Sequence, residues 1–417
     1  MGCELSPLAL HWLTYFTATN LMNIATNAIN GLGLELLGRT GAPNENALLS
    51  PYSIQYALAM AYAGADGTTK AEMAKALHYE SDETALHLSF AALQKSLEEI
   101  ANESARVEKD IKRHGSRDPV TLAFANRLFG QEGYDFREAF LFLLQQNYRA
   151  PFQPLDFEQD SAGARERINR WVEEQTSDKI RDLVPEGALN RSIRLALVNA
   201  IYLKAPWKER FKERSTEPRP FHLTRWRKVK VPTMMAQQKF GYLKKPGMTV
   251  LTLPYAHGDL QCIIFLPDDK GGLVELERQL NTASLAETRS LPTHEVILYL
   301  PRFTIKPTLL RLGEILRGLG MRSAFDEPPG SANFDRMAPR RVNDYLCVSE
   351  VFHKTFVSLD ENGTEAAAAT ALSMRLGCMP VAKPKPIEVH VDHPFIFAIQ
   401  HAPGGACLCL GRVTDPR

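Results

Sequence analysis

Residues 359–380 read Leu-Asp-Glu-Asn-Gly-Thr-Glu-Ala-Ala-Ala-Ala-Thr-Ala-Leu-Ser-Met-Arg-Leu-Gly-Cys-Met-Pro, and two conformations compete for that stretch. As a helix, Thr364 would cap a run of Ala, Leu, Met and Arg, all good helix formers. As a strand, Thr364, Ala366, Ala368, Thr370, Leu372, Met374 and Leu376 form one small-to-apolar face. Glu365, Ala367, Ala369, Ala371, Ser373, Arg375 and Gly377 form the other. Such period-two sorting marks a strand with one face buried, while the alanines resist strand and favour helix. The segment is built for two states.

Its flanks sharpen this reading. Residues 348–359 (Val-Ser-Glu-Val-Phe-His-Lys-Thr-Phe-Val-Ser-Leu) are rich in β-branched and aromatic side chains and predict one sheet strand, ended by the turn cluster Asp360, Glu361, Asn362 and Gly363. Beyond, Pro380, Pro384 and Pro386 stop any regular element. A strand, a hinge, a ribbon of small residues and a rigid stop follow in order. In this order Glu361-Asn362-Gly363-Thr364-Glu365-Ala366-Ala367-Ala368-Ala369-Thr370 resembles the hinge of the serpins, a family of serine protease inhibitors. The resemblance implies a bait loop. A protease cleaves it, and the freed ribbon enters the main sheet as a new strand with the protease still attached as an acyl-enzyme.

The alternation gives that mechanism a physical basis of its own. A dozen inserted residues add backbone hydrogen bonds at ~1 kcal/mol net each. Burying Leu372, Met374 and Leu376 adds roughly 1.5 to 3 kcal/mol apiece. Together these rival the ~5 to 15 kcal/mol net stability of an ordinary domain, so the uncleaved fold is expected to be metastable.

The chain has 417 residues, 44% hydrophobic and 23% charged, with a net charge of +1. These values suit a large soluble core and give no global pull toward nucleic acid or membrane. No low-complexity linker divides the chain. The expectation is an N-terminal extension over 1–19 and one domain over 20–417, with a reactive loop over about 360–386. The six cysteines show neither metal nor disulfide spacing. No metal or nucleotide motif is present either, so no cofactor is expected. Residues 5–18 are apolar, but Glu4 stands where a secretory signal carries positive charge. The family's commonest setting is extracellular, whereas this N-terminus and the Asn362 sequon, whose glycan would obstruct the hinge, point to a cytoplasmic one.

Along the chain, Ile24, Ile29, Leu32, Leu34 and Leu37 predict a first helix over 20–37. Ser50-Pro51-Tyr52-Ser53-Ile54 opens a buried helix and resembles a serpin segment. Residues 168–180 resemble the family's helix across the face of the main sheet. Residues 193–203 predict a continuous strand leading to Trp207, and 309–319 an amphipathic helix. The resemblance spans about 24–417 and implies a mixed α/β (α+β) serpin fold: a large central sheet, further sheets, about nine helices and an exposed reactive-centre loop.

It also implies roles for particular residues. The reactive bond falls about fourteen residues beyond Gly363, at Gly377–Cys378, with Leu376 and Arg375 as alternatives. A glycine there suits an elastase-like or subtilisin-like protease with a small S1 pocket; Arg375 would suit a trypsin-like one. Ser50, Ser53, Asn199 and His353 match a polar cluster where the sheet's strands part. Glu361 and Arg302 match an ion pair beside Trp207 that holds the hinge before cleavage. The reading is an inhibitory serpin, a non-enzyme acting as a monomer on a serine protease by suicide cleavage, acyl-enzyme trapping and strand insertion. A non-inhibitory serpin acting as a binding or chaperone-like protein is the alternative.

Overall fold

The run Leu195–Pro206 is apolar apart from Asn199 and Lys204, and both of its faces are covered. In the computed structural model, Val198 and Ala200 point into one hydrophobic cluster, and Ile201, Leu203 and Ala205 into another. The structure describes residues 7–79, 82–111, 120–256, 258–305, 309–342, 344–364 and 385–417, with side chains described throughout except at 7–20, 108–111, 124–126, 197 and 199.

Nine α-helices lie among the described residues: α1 (Pro7–Leu37), α2 (Pro51–Gly64), α3 (Gly67–Ala76), α4 (Glu83–Ile111), α5 (Glu138–Tyr148), α6 (Ser161–Gln175), α7 (Leu273–Gln279), α8 (Thr282–Glu287) and α9 (Gly313–Gly318). The sheet that matters for function has six strands: β2 (Thr121–Gln131), β3 (Phe152–Leu155), β4 (Leu195–Pro206), β10 (Phe303–Ile305), β13 (Val357–Leu359) and β14 (Gly363–Thr364), in the order β10-β13-β14-β4-β2-β3. A nine-stranded sheet contains β1 (Ala47–Leu49), β5 (Glu217–His222), β6 (Lys228–Lys245), β7 (Met248–Pro254), β8 (Leu260–Pro267), β9 (Thr293–Pro301), β15 (Ile387–His390), β16 (Phe395–His401) and β17 (Cys407–Val413). A two-stranded ladder joins β11 (Leu310–Arg311) to β12 (Phe352–His353).

Helices cover the six-stranded sheet on both faces. Ala164, Ile168 and Val172 of α6 pack with Phe129, Leu155 and Val198 on one face. The segment after α6 is tied to it: Asn169 Nδ2 donates to Val184 O (2.9 Å), and Val184 N–H donates to Asn169 Oδ1 (2.8 Å). On the other face lies α2, nearly all of whose residues are buried. The helix expected to cross the sheet is therefore present.

Three expectations are corrected. The first helix does not begin at 20; α1 runs unbroken from Pro7, so the boundary expected at 19/20 falls inside a helix. Residues 348–359 are not one strand but two short ones, β12 and β13, between which Lys354 Nζ reaches out to donate to Arg181 O (2.8 Å) and Asp182 O (2.9 Å). The helix expected over 309–319 shrinks to α9. Leu310 and Arg311 pair with β12 instead, and Glu350 Oε1 accepts from Gly313 N–H at the helix start (2.8 Å).

Candidate functional site: the head of the six-stranded sheet

At the Pro206 end of β4, the chain from Asp360 doubles back. Asp360 Oδ1 accepts from Asn362 N–H (2.8 Å), fixing a turn. Gly363 and Thr364 then pair with Pro206 and Ala205 on one side, while Thr364 pairs with Leu359 on the other. The first two residues of the ribbon thus already form a strand between β13 and β4. Only glycine fits at 363, where φ is +148° and a Cβ would lie 2.1 Å from Ala205 O.

Aromatic and polar contacts hold this turn. Trp207, 3% exposed, donates its N–H to Asn362 O (2.9 Å) and its indole Nε1–H to Asp360 O (2.8 Å). Its ring stacks on Tyr255 at 4.6 Å with 3° between planes. The Tyr255 hydroxyl lies 2.5 Å from Thr364 Oγ1, and Thr364 itself is 1% exposed. Phe211 N–H donates to Glu361 O (2.9 Å), and Thr216 Oγ1 donates to Glu361 Oε1 (2.6 Å). The expected Arg302–Glu361 pair is present at 3.8 Å, but Arg302 is half exposed, so it contributes about 0 to 1 kcal/mol. Thr216, rather than Arg302, fixes the Glu361 carboxylate.

Below this head, β4 pairs with β2 from Lys204 opposite Thr121 to Leu195 opposite Gly130. On its other edge, among the described strands, it pairs only with β14. At the Leu195 end the sheet contains a cavity of about 200 Å³, lined among others by Leu195, Ala196 and Val198 of β4, Ile54 and Leu58 of α2, and Val351 and His353.

The polar cluster borders this cavity, with Ser53 and His353 on its wall. Ser50 caps α2, its Oγ accepting from Ser53 N–H (3.2 Å) and donating to Leu408 O (2.6 Å). Ser50 N–H donates to His353 Nε2 (2.9 Å), and the Thr355 hydroxyl lies 2.6 Å from the same nitrogen. Nε2 therefore holds a lone pair, and the neutral ring carries its proton on Nδ1. Burial pushes the His353 pKa down to about 3. Asn199 stands opposite Asn126 in the β2–β4 ladder; its side chain lies outside the described ones. So do Glu365, Ala366, Ala367, Ala368, Ala369 and Thr370 of the hinge and the whole reactive region, Arg375, Leu376, Gly377 and Cys378. Among the described residues no acid contacts His353, and the cluster ties the start of α2 to β12 and β17.

His353 and His401, which burial and Arg289 likewise hold at about 3, set an acid limit on stability. Unfolded histidines bind protons near pH 6.5, so between about 3 and 6.5 the unfolded chain holds more protons than the folded one. Their contribution is complete above pH 6.5 and declines below it, by up to about 1.4 kcal/mol per pH unit per histidine. Urea denaturation midpoints should therefore fall from pH 7.5 to pH 5, and His353→Gln should fall less steeply. Equal slopes for both proteins would contradict this origin.

Thr216, Tyr255 and Thr355 were not legible as site residues. Each is a single polar group outside any motif, and only the pairing of distant strands brings it to the hinge or to His353.

Among the described strands β4 is unpaired along one edge below β14, as a sheet able to take one more strand would be. Comparisons agree: a family profile described as "Serpin (serine protease inhibitor)" matches residues 27–416, and this chain belongs to the serpin family. Bovine leukocyte elastase inhibitor is 40% identical over 384 residues, covering 90% of this chain and 94% of that protein. An uncharacterized serpin-like protein of Thermococcus kodakarensis is 34% identical, covering 94% of this chain and 85% of that protein. Among solved structures, a cleaved Serpin 42Da matches with TM-score 0.78 and 33% identity, covering 95% of this chain and 100% of that one. Uncleaved ovalbumin matches with TM-score 0.75 and 27% identity, covering 94% and 100%.

Proposed function

We propose that this chain is a single-turnover inhibitor of an elastase-like or subtilisin-like serine protease. The observation that carries the reading is the two-residue strand Gly363–Thr364, seated between β13 and β4 at the head of an edge that β4 otherwise leaves open among the described strands. The protease serine attacks the Gly377 carbonyl carbon, forming an ester as the Gly377–Cys378 amide breaks and the Cys378 amine departs with a proton. The ribbon behind Gly377 then follows Thr364 down β4. Fourteen residues from 364 span roughly 46 Å as a strand, comparable with the roughly 40 Å of β4's twelve residues. The attached protease is carried along the sheet before water releases it. Glycine at 377 and the similarity to leukocyte elastase inhibitors favour a small S1 pocket.

The test is incubation with elastase-like, subtilisin-like, trypsin-like and papain-like proteases, followed by denaturing gels and mass analysis of the released peptide. A denaturant-resistant complex with a peptide beginning at Cys378 is expected. A peptide beginning at Leu376 or Gly377 with the complex intact would move the bond to follow Arg375 or Leu376. Cleavage without complex across the panel would overturn inhibition.

A further inference from the structure

The cavity of about 200 Å³ at the Leu195 end of β4 is walled by apolar side chains from both layers over the sheet, among them Ile54 and Leu58 of α2, Met337, and Leu183, Val184 and Leu189 of the segment after α6. It reaches solvent at Cys347 and Ser349, which line it and are exposed. A cavity of about 150 Å³ with apolar walls holds benzene. This one has room for such a ring and roughly two or three further heavy atoms.

Polar groups on the wall narrow what fits. The His353 ring, 3% exposed, commits Nε2 to Ser50 N–H and the Thr355 hydroxyl, while its Nδ1–H meets no partner among the described residues. Arg194 O accepts from Gln131 N–H (2.8 Å), so Arg194 turns its backbone groups toward β2 and, by the alternation of an antiparallel ladder, Leu195 turns its N–H and C=O to the opposite edge. No described strand covers that edge of β4 below β14. An N–H donor beside a C=O acceptor is the pair of groups that an amide satisfies. The charged side chains on the wall are already engaged: Arg194 Nε lies 3.3 Å from Asp344, Arg194 Nη1 donates to Arg191 O (2.8 Å), and Glu350 Oε1 accepts from Gly313 N–H (2.8 Å) and Val351 N–H (2.9 Å). With His353 neutral as well, a charged ligand would find no free counter-ion among the described residues.

We propose that this cavity binds a compact, neutral amide carried on an apolar ring, the amide paired with the Leu195 backbone and with His353 Nδ1–H, the ring packed against α2. Binding has a consequence for the sheet. A strand continued from Thr364 at the register it has with Ala205 passes Leu195 ten residues further along β4, and the bound amide occupies that edge. Insertion then stops short, and water has time to release the protease. This regulation rests on the inhibitor reading, whereas the binding does not.

The test uses the full chain with benzamide as the probe, and with benzoate and acetamide as controls that add a charge or remove the ring. Calorimetry should give benzamide a dissociation constant of about 1 mM or tighter, and each control one at least about tenfold weaker. At ten times that constant, benzamide should slow alkylation of Cys347, read by peptide mass, by about fivefold or more. Ala57→Leu and Ala188→Leu fill the cavity from opposite walls. Each should lower benzamide affinity at least about tenfold while its urea midpoint stays at or above that of the wild type, because a filled cavity gains packing. With a small-S1 protease, benzamide should lower the yield of denaturant-resistant complex at least about threefold in the wild type. It should leave the yield of both filled variants unchanged, which separates the cavity from any action on the protease. A benzamide affinity no better than that of the controls, or equal in the filled variants, would overturn the site. Binding without an effect on yield would overturn its regulation of insertion. If the wild type forms no complex with any protease yet binds benzamide in the cavity, the inhibitor reading fails and the site stands.

Discussion

Thr364→Arg is expected to turn the inhibitor into a substrate. The side chain of Thr364 is 1% exposed, within 2.5 Å of the Tyr255 hydroxyl, and its backbone sits between Leu359 and Ala205. A guanidinium placed there has no acid partner, and burying it unpaired costs several kcal/mol. The chain escapes that cost by withdrawing β14 from the sheet. A ribbon that must then start outside the sheet loses time to water at the acyl-enzyme, and each ~1.4 kcal/mol on that competition changes the outcome about tenfold. The loop should be cleaved as fast as in the wild type, while the yield of denaturant-resistant complex falls at least about tenfold. Thr364→Ser, which keeps the hydroxyl, should retain the complex. A wild-type yield from Thr364→Arg would refute insertion from this point.

The second large effect is on the head of the sheet itself. Trp207→Ala removes the ring that stacks on Tyr255 and the indole donor to Asp360 O. Deleting a buried tryptophan costs about 3 to 5 kcal/mol, much of the margin of a fold with ~5 to 15 kcal/mol. Equilibrium denaturation should show a loss of this order. Limited proteolysis should show new cuts within 360–364, where Trp207 contacts the turn. Trp207→Phe keeps part of the packing and loses the donor, so it should fall between. A loss within about 0.5 kcal/mol, typical of a surface change, would show that the turn is held by other contacts.

How much of this was legible in the sequence differs from element to element. The β-rich run over 193–203 was legible as a strand, and the structure places helices on both of its faces. Gly363 was legible as a hinge, but the reason for glycine, the approach of Ala205 O, belongs to a strand more than a hundred residues away. The short strands β12 and β13 escaped because side-chain pattern reports potential pairing, not which backbone is free to pair. Between the two strands, the Lys354 side chain reaches Arg181 O and Asp182 O, and the Thr355 hydroxyl meets His353 Nε2. Ser50 and His353 were legible as members of a cluster. Their chemistry was not, since the tautomer of His353 is set by Ser50 N–H, a backbone donor no side-chain pattern encodes.

The placement of Gly363 and Thr364 between β13 and β4 has a kinetic consequence. Pairing two strands from separation first requires closing a loop, and that entropy grows with the length of chain enclosed. Here the turn from Asp360 has brought the ends together before any bond is cut. What remains for an entering ribbon is propagation from a formed nucleus, one rung at a time, like a zipper whose slider is already engaged. Elementary steps of that kind take nanoseconds to microseconds, so the search for a first contact adds little delay to the contest with hydrolysis of the acyl-enzyme.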